Sequence, residues 1–260
     1  MLEHLWLIPL GFAAGLLGSM TGLGGGIITV PVMVFVGFPH TLAASNSLLA
    51  TLSNAIASTL SYSRQKRIEY KLGLKLGLLS IPGTVVGAIV TSDVTDASFE
   101  TLFGVVLVVS ALYLMIKPRL TEHRTGSKRP DIHGLMLVFA AGVSFFAGMV
   151  SSFFGIGGGI IFVPIMVAGL GMSIKRAAPT SQMILLFVSF SGAAVHGMLG
   201  NPDLLQASFM ATGAFVGGIV GAQLSIEARE RNLRILTFGV ILAAAAKMFY
   251  DSLAGDAAAP

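Results

Sequence analysis

The residues best suited to chemistry in this sequence are two glycine clusters, each of which precedes a short apolar stretch. Their members are Gly24, Gly25 and Gly26 in the first cluster and Gly157, Gly158 and Gly159 in the second. If a helix starts at each cluster, its first N–H groups have no intrahelical partner and its dipole end is positive. A ligand can reach such a backbone because glycine has no side chain. Two of these helix ends facing one point in a membrane would form an anion site.

Hydroxyl and amide side chains near the clusters could complete this site. Thr21 and Ser152 lie within the two cluster regions. A long apolar stretch also carries polar residues at spacings of 4, 3, 4 and 3, which places them on one helical face. They are Ser47, Thr51, Asn54, Ser58 and Ser61. This stripe is a candidate lining for a path, and interhelical hydrogen bonding alone is an equally open interpretation.

A second polar stripe lies in the corresponding stretch of the other half of the sequence. Gln182, Ser189 and His196 are seven residues apart and share a helical face. His196 is near the outer end of its stretch, and we expect it at the membrane interface.

Electrostatics indicates which groups an anion site of this kind needs. A bare charge in a medium of low dielectric constant costs tens of kcal/mol, whereas a helix end returns about 2 kcal/mol at most. Direct hydrogen bonds to a charged group contribute about 1.5–3 kcal/mol each. The site therefore needs side-chain donors and some water as well. The alternative role for the glycines is close packing of membrane helices.

The composition is that of a polytopic membrane protein. Of the 260 residues, 54% are hydrophobic and only 11% are charged, and the mean hydropathy is +0.85. A soluble domain carries about 25% charged residues, so a soluble enzyme or binding module is excluded. The chain has no cysteine, which removes disulfides, thiolate metal sites and iron–sulfur clusters.

Ten apolar stretches are expected to be membrane helices, because unpaired backbone groups are not tolerated in lipid. They run at 5–20, 26–38, 41–63, 72–92, 99–116, 134–154, 159–171, 178–199, 204–224 and 233–250. The stretches 26–38 and 159–171 would rise only about 20 Å as helices, against a hydrocarbon core of about 30 Å. The sequence therefore predicts an all-α polytopic membrane protein of 8–10 membrane segments with discontinuous or re-entrant helices. Residues 5–38 and 134–171 are either re-entrant hairpins or pairs of tilted spans.

The sequence contains an internal repeat. A run of eleven residues that starts at Gly24 recurs at Gly157, with nine identical positions at a spacing of 133. Farther along the chain the spacing between equivalent residues drifts to 134 and then to 135. We expect a first membrane repeat at 1–116, a cytoplasmic linker at 117–133 and a second membrane repeat at 134–260.

The basic residues indicate how the two repeats are oriented. Loop 64–71 is basic, whereas its counterpart 200–203 has no Lys or Arg; loop 93–98 has two aspartates, whereas 227–234 has three arginines. Basic loops stay in the cytoplasm, so the two halves should form inverted-topology repeats with both termini outside. The net charge of +4 then reflects topology, and no nucleic-acid partner is expected.

Several activities are disfavoured by what the apolar stretches lack. No Asp or Glu lies in the middle of any of them, although cation sites and proton relays in membranes usually need one. Neither a Walker A sequence nor G-x-S-x-G occurs. We therefore expect no enzyme, no metal and no cofactor. An intramembrane hydrolase that uses Ser181 and His196 stays open as a remote alternative.

The doubled glycine motif is also typical of one family. The paired G-x-G-G-G-I-I-x-V-P elements at 22–31 and 155–164, the length and the two-half organisation resemble the sulfite exporter TauE/SafE family of bacterial membrane permeases. The resemblance implies movement of small sulfur-containing anions across the inner membrane. It also implies binding roles for both glycine clusters. Weaker candidates by the same resemblance are Asn46, Ser47, Thr180, Ser181 and Gln182.

The predicted function is a secondary transporter that moves a small anion, sulfite or an organosulfonate, out of the cell by alternating access. The alternative is an uptake permease for another anion, such as thiosulfate, or for a small metabolite. The expected partners are the anion and the lipid bilayer. The cargo, the coupling ion and the oligomeric state stay open.

Overall fold

The computed structural model describes residues 4–116 and 135–228 and eight separate positions between 232 and 246. Within these residues the fold is helical and contains no strand, which confirms the predicted all-α class. The linker predicted at 117–133, most of the last predicted segment and the final residues of the chain lie outside the described residues.

The helix boundaries follow the apolar stretches closely. The helices, numbered in chain order, are α1 (Leu7–Thr21), α2 (Gly26–Phe35), α3 (His40–Arg64), α4 (Tyr70–Thr91), α5 (Asp96–Ile116), α6 (Leu135–Phe154), α7 (Gly159–Pro164), α8 (Ile174–Met198) and α9 (Leu204–Glu227). The eight described positions between 232 and 246 are helical as well. We refer to α1–α5 as the first half and to α6–α9 as the second half.

Three helices in the described part of the chain are long and apolar enough to cross a membrane by length and composition. They are α4, α8 and α9, with α1, α2 and parts of α5 and α6 as shorter apolar helices. Helix α3 has 25 residues and a much more polar sequence. Four of the five residues of its polar stripe, all except Ser61, are buried, so α3 is surrounded by protein on most of that face.

Each half contains a break directly after its first helix. Helix α1 ends at Gly22, whose φ of +78° is the left-handed conformation that glycine adopts at helix ends. Helix α2 then has only 10 residues. In the second half, α7 has six residues and continues as a π-helical turn, Ile165–Gly169, directly after Pro164. Proline disturbs the regular backbone hydrogen-bond ladder there, and both short helices confirm the predicted discontinuities.

The helices pack in the spatial order α1, α9, α3, α8, α4 and α6, and the contacts of the two halves are reciprocal. Helix α1 packs along α9, and α6 packs along α4. Glycines allow both approaches: a Cβ atom at Gly217 would lie 2.8 Å from the backbone nitrogen of Leu16, and one at Gly83 would lie 3.0 Å from that of Met149. Each contact in this pair is the counterpart of the other at the spacing of the sequence repeat.

An aromatic cluster holds α5 against the end of α6. Phe99 and Phe103 on α5 pack against Phe153 and Phe154, with ring centroids 4.9–5.7 Å apart across the two helices. His40 at the start of α3 lies 4.9 Å from the ring of Phe99.

Candidate functional site

The two glycine turns meet in the middle of the fold, where each is held by a serine from the opposite half. The hydroxyl of Ser47 on α3 donates to the carbonyl oxygen of Gly155 at 2.7 Å. The hydroxyl of Ser181 on α8 donates to the carbonyl oxygen of Gly22, also at 2.7 Å. These reciprocal bonds bring both predicted serines to the glycine clusters.

The two turns pack directly against each other in this conformation. A Cβ atom at Gly26 would lie 2.5 Å from the Cα atom of Ile156, and one at Gly159 would lie 2.5 Å from that of Leu23. Close backbone packing therefore explains why glycine is needed at these two positions. Contact between an anion and the N–H groups of the turns stays a prediction.

The remaining cluster glycines face different surroundings. Gly24 and Gly157 have φ angles of +79° and +90°, and both face the side chains of Thr51 and Leu185. At Gly25, with a φ of −82°, a Cβ atom would lie 3.3 Å from that of Ala14. Its equivalent in the second cluster, Gly158, has a φ of +86° instead, so the two turns are not identical.

Two of the predicted polar residues form hydrogen bonds with backbone carbonyl groups near the end of α1. The hydroxyl of Thr21 donates to the carbonyl oxygen of Leu17 at 2.8 Å. The amide nitrogen of Gln182 donates to the carbonyl oxygen of Gly18 at 2.8 Å, and its amide oxygen accepts from Ser58 at 3.1 Å. Gln182 thus links α8, α3 and α1 on the stripe predicted to line a path.

Two other predicted residues bind loop backbone instead of lying at the glycine turns. The side-chain oxygen of Asn46 accepts from the backbone N–H of Asp203 at 3.0 Å, directly before α9. The hydroxyl of Thr180 accepts from the backbone N–H of Glu69 at 3.1 Å, directly before α4. Both contacts anchor the start of a helix in the opposite half, and the structure does not bring these two side chains to the central turns.

Several buried polar side chains near the turns have no hydrogen-bond partner. Those that lie on the stripes or beside a glycine turn are the hydroxyls of Thr51, Ser151, Ser152 and Ser189 and both side-chain atoms of Asn54. Each of these residues is 0% exposed. An unsatisfied buried polar group costs about 1–3 kcal/mol, and most native groups of this kind have a partner. Unpartnered atoms concentrated beside two helix breaks therefore mark a candidate binding region.

These unpartnered groups follow one another along the middle of the fold. Thr51 lies beside both glycine turns, at the level of Leu185 on the antiparallel helix α8. Asn54 is about 4.5 Å farther along α3 toward its basic end. Ser189 is about 6 Å from Leu185 along α8, in the opposite direction. The stripes therefore place unpartnered polar atoms on both sides of the turns.

Ser152 continues this arrangement away from the basic end. A Cβ atom at Gly192 on α8 would lie 2.9 Å from the Ser152 hydroxyl oxygen. Sequence analysis did not identify Ser151, whose hydroxyl is unpartnered and lies beside Gly158. A serine next to a glycine cluster belongs to no periodic pattern that would single it out.

The side chain of His196, near the end of α8, is buried in protein, and its location at the membrane interface stays a prediction. The side chain is 0% exposed. Its Nε2 atom lies 3.2 Å from the carbonyl oxygen of Ser152, and its Nδ1 atom lies 3.0 Å from the amide nitrogen of Asn201. Residues that follow α8 fold back over the ring, which position near a helix end does not reveal.

The hydrolase alternative finds no support in the positions of its two residues. Ser181 and His196 are fifteen residues apart on the single helix α8, or about 22 Å along its axis. The Ser181 hydroxyl donates to the carbonyl oxygen of Gly22. A serine must lie within hydrogen-bond reach of its base to be activated, so these two residues do not form such a pair.

At the basic end of the fold, charged groups connect the two halves. Arg67 donates from Nε to the carbonyl oxygen of Lys175 at 3.0 Å and from Nη1 to the hydroxyl of Ser225 at 2.9 Å. Arg176 forms an ion pair with Glu69 at 2.6 Å. Burial lowers the pKa of the Arg67 guanidinium from its ordinary value, and Tyr62 opposes this shift. Arginine nevertheless stays charged, so this end of the fold carries a fixed, half-buried positive charge.

The described residues contain no group of three or more His, Asp or Glu side chains that could hold a metal ion.

Comparisons with known proteins identify relatives along nearly the whole chain. The family model described as sulfite exporter TauE/SafE matches residues 7–248. The chain is 29% identical to the probable membrane transporter protein YunE of Bacillus subtilis, over 95% of this chain and 97% of that protein. It is 28% identical to a probable membrane transporter protein of Methanocaldococcus jannaschii, over 92% of this chain and 94% of the relative. No solved structure matches the chain.

Proposed function

The chain belongs to the sulfite exporter TauE/SafE family and is an integral membrane transporter, and we propose that it moves a small sulfur-containing oxyanion out of the cell. The proposed cargo is sulfite or an organosulfonate. The proposed transport cycle is alternating access by two inverted repeats, 1–116 and 134–260, joined by the linker 117–133.

The observation that carries this proposal is the series of buried, unpartnered polar groups beside the glycine turns. Thr51 and Asn54 on α3 and Ser189 on α8 are all fully buried without a hydrogen-bond partner. An oxyanion offers several acceptor oxygens, which suit hydroxyl and amide N–H donors. Neutral donors bind an anion without a fixed countercharge, which favours release as well as binding. The N-terminus of α2 adds a positive helix end to the same region.

Alternating access gives a reason for the reciprocal serine bonds. The bonds from Ser47 to Gly155 and from Ser181 to Gly22 hold the turns together in this conformation. Rocking one repeat against the other would break them and separate the turns. The N–H groups of the glycine clusters and the central hydroxyls would then be free to surround the anion. Neutral hydrogen bonds of this kind contribute about 0.5–1.5 kcal/mol each, so they can be broken within a transport cycle.

The charge pattern supports export from the basic side. The end that contains Arg67, Lys175 and Arg176 would face the cytoplasm, and both termini would lie outside. An anion in the cytoplasm would be attracted to this end by its positive charge. The proposed location is the inner membrane of a bacterium.

A paired substitution on α3 tests the proposed site. The purified protein is placed in liposomes, and counterflow of labelled sulfite is measured for Thr51→Val and, as a matched control, Thr59→Val. The Thr59 hydroxyl is also unpartnered, but Thr59 lies eight residues, or about 12 Å along α3, from Thr51 and the glycine turns. Loss of one hydrogen bond to a charged cargo at about 1.5–3 kcal/mol predicts about 10- to 150-fold weaker apparent affinity for Thr51→Val only.

The outcome of the same assay separates the competing cargoes. Inhibition of sulfite counterflow by sulfonates supports the proposal. Equal loss in both threonine variants, or no loss in either, would contradict the role of Thr51. Counterflow of thiosulfate or of a neutral metabolite without sulfite counterflow would favour the uptake permease.

A further inference from the structure

The two halves of the fold contain equivalent aromatic contacts that differ in their chemistry. On α3, the hydroxyl of Tyr62 donates to the carbonyl oxygen of Ser19 at 2.7 Å, in the last turn of α1. On α8, Nε2 of His196 lies 3.2 Å from the carbonyl oxygen of Ser152, in the last turn of α6. Tyr62 and His196 are 134 residues apart, and Ser19 and Ser152 are 133 apart, which are the spacings of the repeat.

Only one of these two contacts can change its charge in the physiological pH range. A tyrosine hydroxyl ordinarily titrates near pH 10, whereas histidine is the side chain that titrates between about pH 5 and 8. The residue that contacts each of these two side chains also differs in charge between the halves. The guanidinium of Arg67 lies 5.3 Å from the centre of the Tyr62 ring, and at the equivalent position the neutral Asn201 contacts His196. One end therefore has a fixed positive charge, and the other has a group that can acquire one.

The hydrogen bonds of His196 define its protonation in this conformation. The carbonyl oxygen of Ser152 only accepts, so the nearby Nε2 atom carries a hydrogen. With the Asn201 amide oriented as in the structure, its nitrogen donates to Nδ1, which must then be unprotonated. The ring is therefore neutral, and Nδ1 is the atom that can take up a proton.

Among the described residues, no element packed against α8 brings a carboxylate to the His196 ring. Helices α1, α6 and α7 contribute no charged group to it. The titratable or charged side chains on the other two neighbouring helices are His40, Tyr62 and Arg64 on α3 and Tyr70, Lys71 and Lys75 on α4. All of these except His40 lie toward the basic end, and His40 bonds to the carbonyl oxygen of Thr91. The carboxylate of Asp203 accepts from the N–H groups of Leu205 and Gln206.

We propose that His196 is the proton-coupling residue of this transporter: its ring takes up one proton when the anion is bound and releases it when the anion leaves. This inference rests on the proposed function. The proton comes from water on the side where the anion enters, binds to Nδ1 and returns to water on the other side. Because the proton leaves with the anion, export in the cell is driven by the concentration gradient of the anion, against any pH gradient that is acidic outside. No covalent bond of the anion changes.

Position and electrostatics both support this role. Ser152, which bonds to the ring through its backbone, also carries an unpartnered buried hydroxyl at the end of the series that begins at Asn54. A lone anion in the membrane interior carries a large desolvation cost. A positive imidazolium beside its path makes the loaded site neutral overall and lowers that cost. Protonation also requires the Asn201 amide to turn its oxygen toward Nδ1, so it alters the contact that covers the ring.

The test compares gradient-driven transport with exchange that needs no gradient. Liposomes contain the wild-type protein, His196→Gln or His196→Tyr, and the cargo is a labelled sulfonate because its charge does not change near neutral pH. His196→Tyr recreates the contact that Tyr62 makes in the other half and guards against a folding failure of the glutamine variant. His40→Gln is the matched control, since His40 is a second buried histidine toward the same end among the described residues.

For the wild type and His40→Gln, one proton per sulfonate predicts about tenfold accumulation for each pH unit of gradient, with accumulation on the alkaline side. For His196→Gln and His196→Tyr we expect slower exchange, because the loaded site lacks the imidazolium charge, and no gradient-driven accumulation. As a direct readout, the detergent-solubilised wild type should take up a proton from weakly buffered solution when the sulfonate binds, and both His196 variants should not.

The outcomes distinguish this inference from the proposed function. If the wild type exchanges sulfonate but does not respond to the pH gradient, the transport function stands and the role of His196 is refuted. Gradient-driven accumulation in either His196 variant would also refute it. If the inserted and folded wild type exchanges neither sulfonate nor sulfite, the proposed function itself fails.

Discussion

Replacing Asn54 by leucine should make the protein more stable and less able to transport. Both side-chain atoms of Asn54 are buried without a partner, and the residue is 0% exposed. An unsatisfied buried polar group costs about 1–3 kcal/mol, and replacement by an apolar side chain of similar volume removes that cost. We expect a gain of about 2 kcal/mol, or roughly 4–8 °C in the unfolding temperature for a chain of this size.

Asn46→Leu is the matched control, because Asn46 is equally buried on the same helix but is hydrogen-bonded. Its side chain bonds to Gln206 at 3.4 Å and to the backbone N–H of Asp203 at 3.0 Å. Removing it leaves these buried groups without a partner and should cost about 2 kcal/mol or more. The unfolding temperature should therefore move in opposite directions in the two variants.

The assay is thermal unfolding in detergent together with sulfite counterflow in liposomes. Asn54→Leu should unfold at a higher temperature and lose most of its counterflow. A clear loss of stability in Asn54→Leu would mean that the amide serves the fold, which would refute the reasoning. Higher stability with unchanged counterflow would refute its role in binding.

Two further predictions concern the packing of the turns and the orientation of the halves. Gly26→Ala should lower the free energy of unfolding by about 3 kcal/mol, at the upper end of the range for overpacking, because its Cβ atom would meet the backbone of the opposite turn. Gly25→Ala should change the unfolding temperature little. Equal effects of the two substitutions would contradict this prediction. The chain has no cysteine of its own, so single cysteines can report sidedness. Lys66→Cys should react with an impermeant thiol reagent only from the cytoplasmic side and Pro202→Cys only from outside, whereas labelling from one side for both would contradict inverted repeats.

Much of the fold could be predicted from the sequence, because the information is local. Apolar runs predicted helices such as α3 and α9 to within a few residues, and the glycine clusters predicted the breaks before α2 and α7. In lipid, such a run forms a helix because a helix pairs the backbone N–H and C=O groups within the segment itself. The sequence repeat also relates Ser47 to Ser181 at a spacing of 134, and these two residues make equivalent contacts in the structure.

The candidate site was predicted less completely, because hydrogen bonding depends on which helices meet. Asn46 and Thr180 were expected to bind substrate, which stays a prediction; in this conformation their side chains bond to the loops before α9 and α4. Nothing in a single sequence shows that these loops lie within reach. The burial of His196 could not be predicted for the same reason, since it depends on Asn201 folding back over the ring.

The close packing of the two glycine turns was also outside the reach of sequence analysis. A glycine that admits a ligand and a glycine that admits another backbone have the same sequence signature. Gly26 and Gly159 admit backbone in this conformation, so we propose that the side chains of Thr51, Asn54 and Ser189 make most of the contacts with the anion.

Anomalous X-ray diffraction from crystals soaked in selenite tests the central claim most directly, because selenite has the shape and chemistry of sulfite and contains a strong scatterer. The claim predicts a selenium peak within hydrogen-bond distance of the Asn54 amide and the Thr51 hydroxyl, and loss of this peak in Asn54→Leu. Selenium bound only at the basic loops, or no selenium in crystals of a protein that transports sulfite, would contradict it.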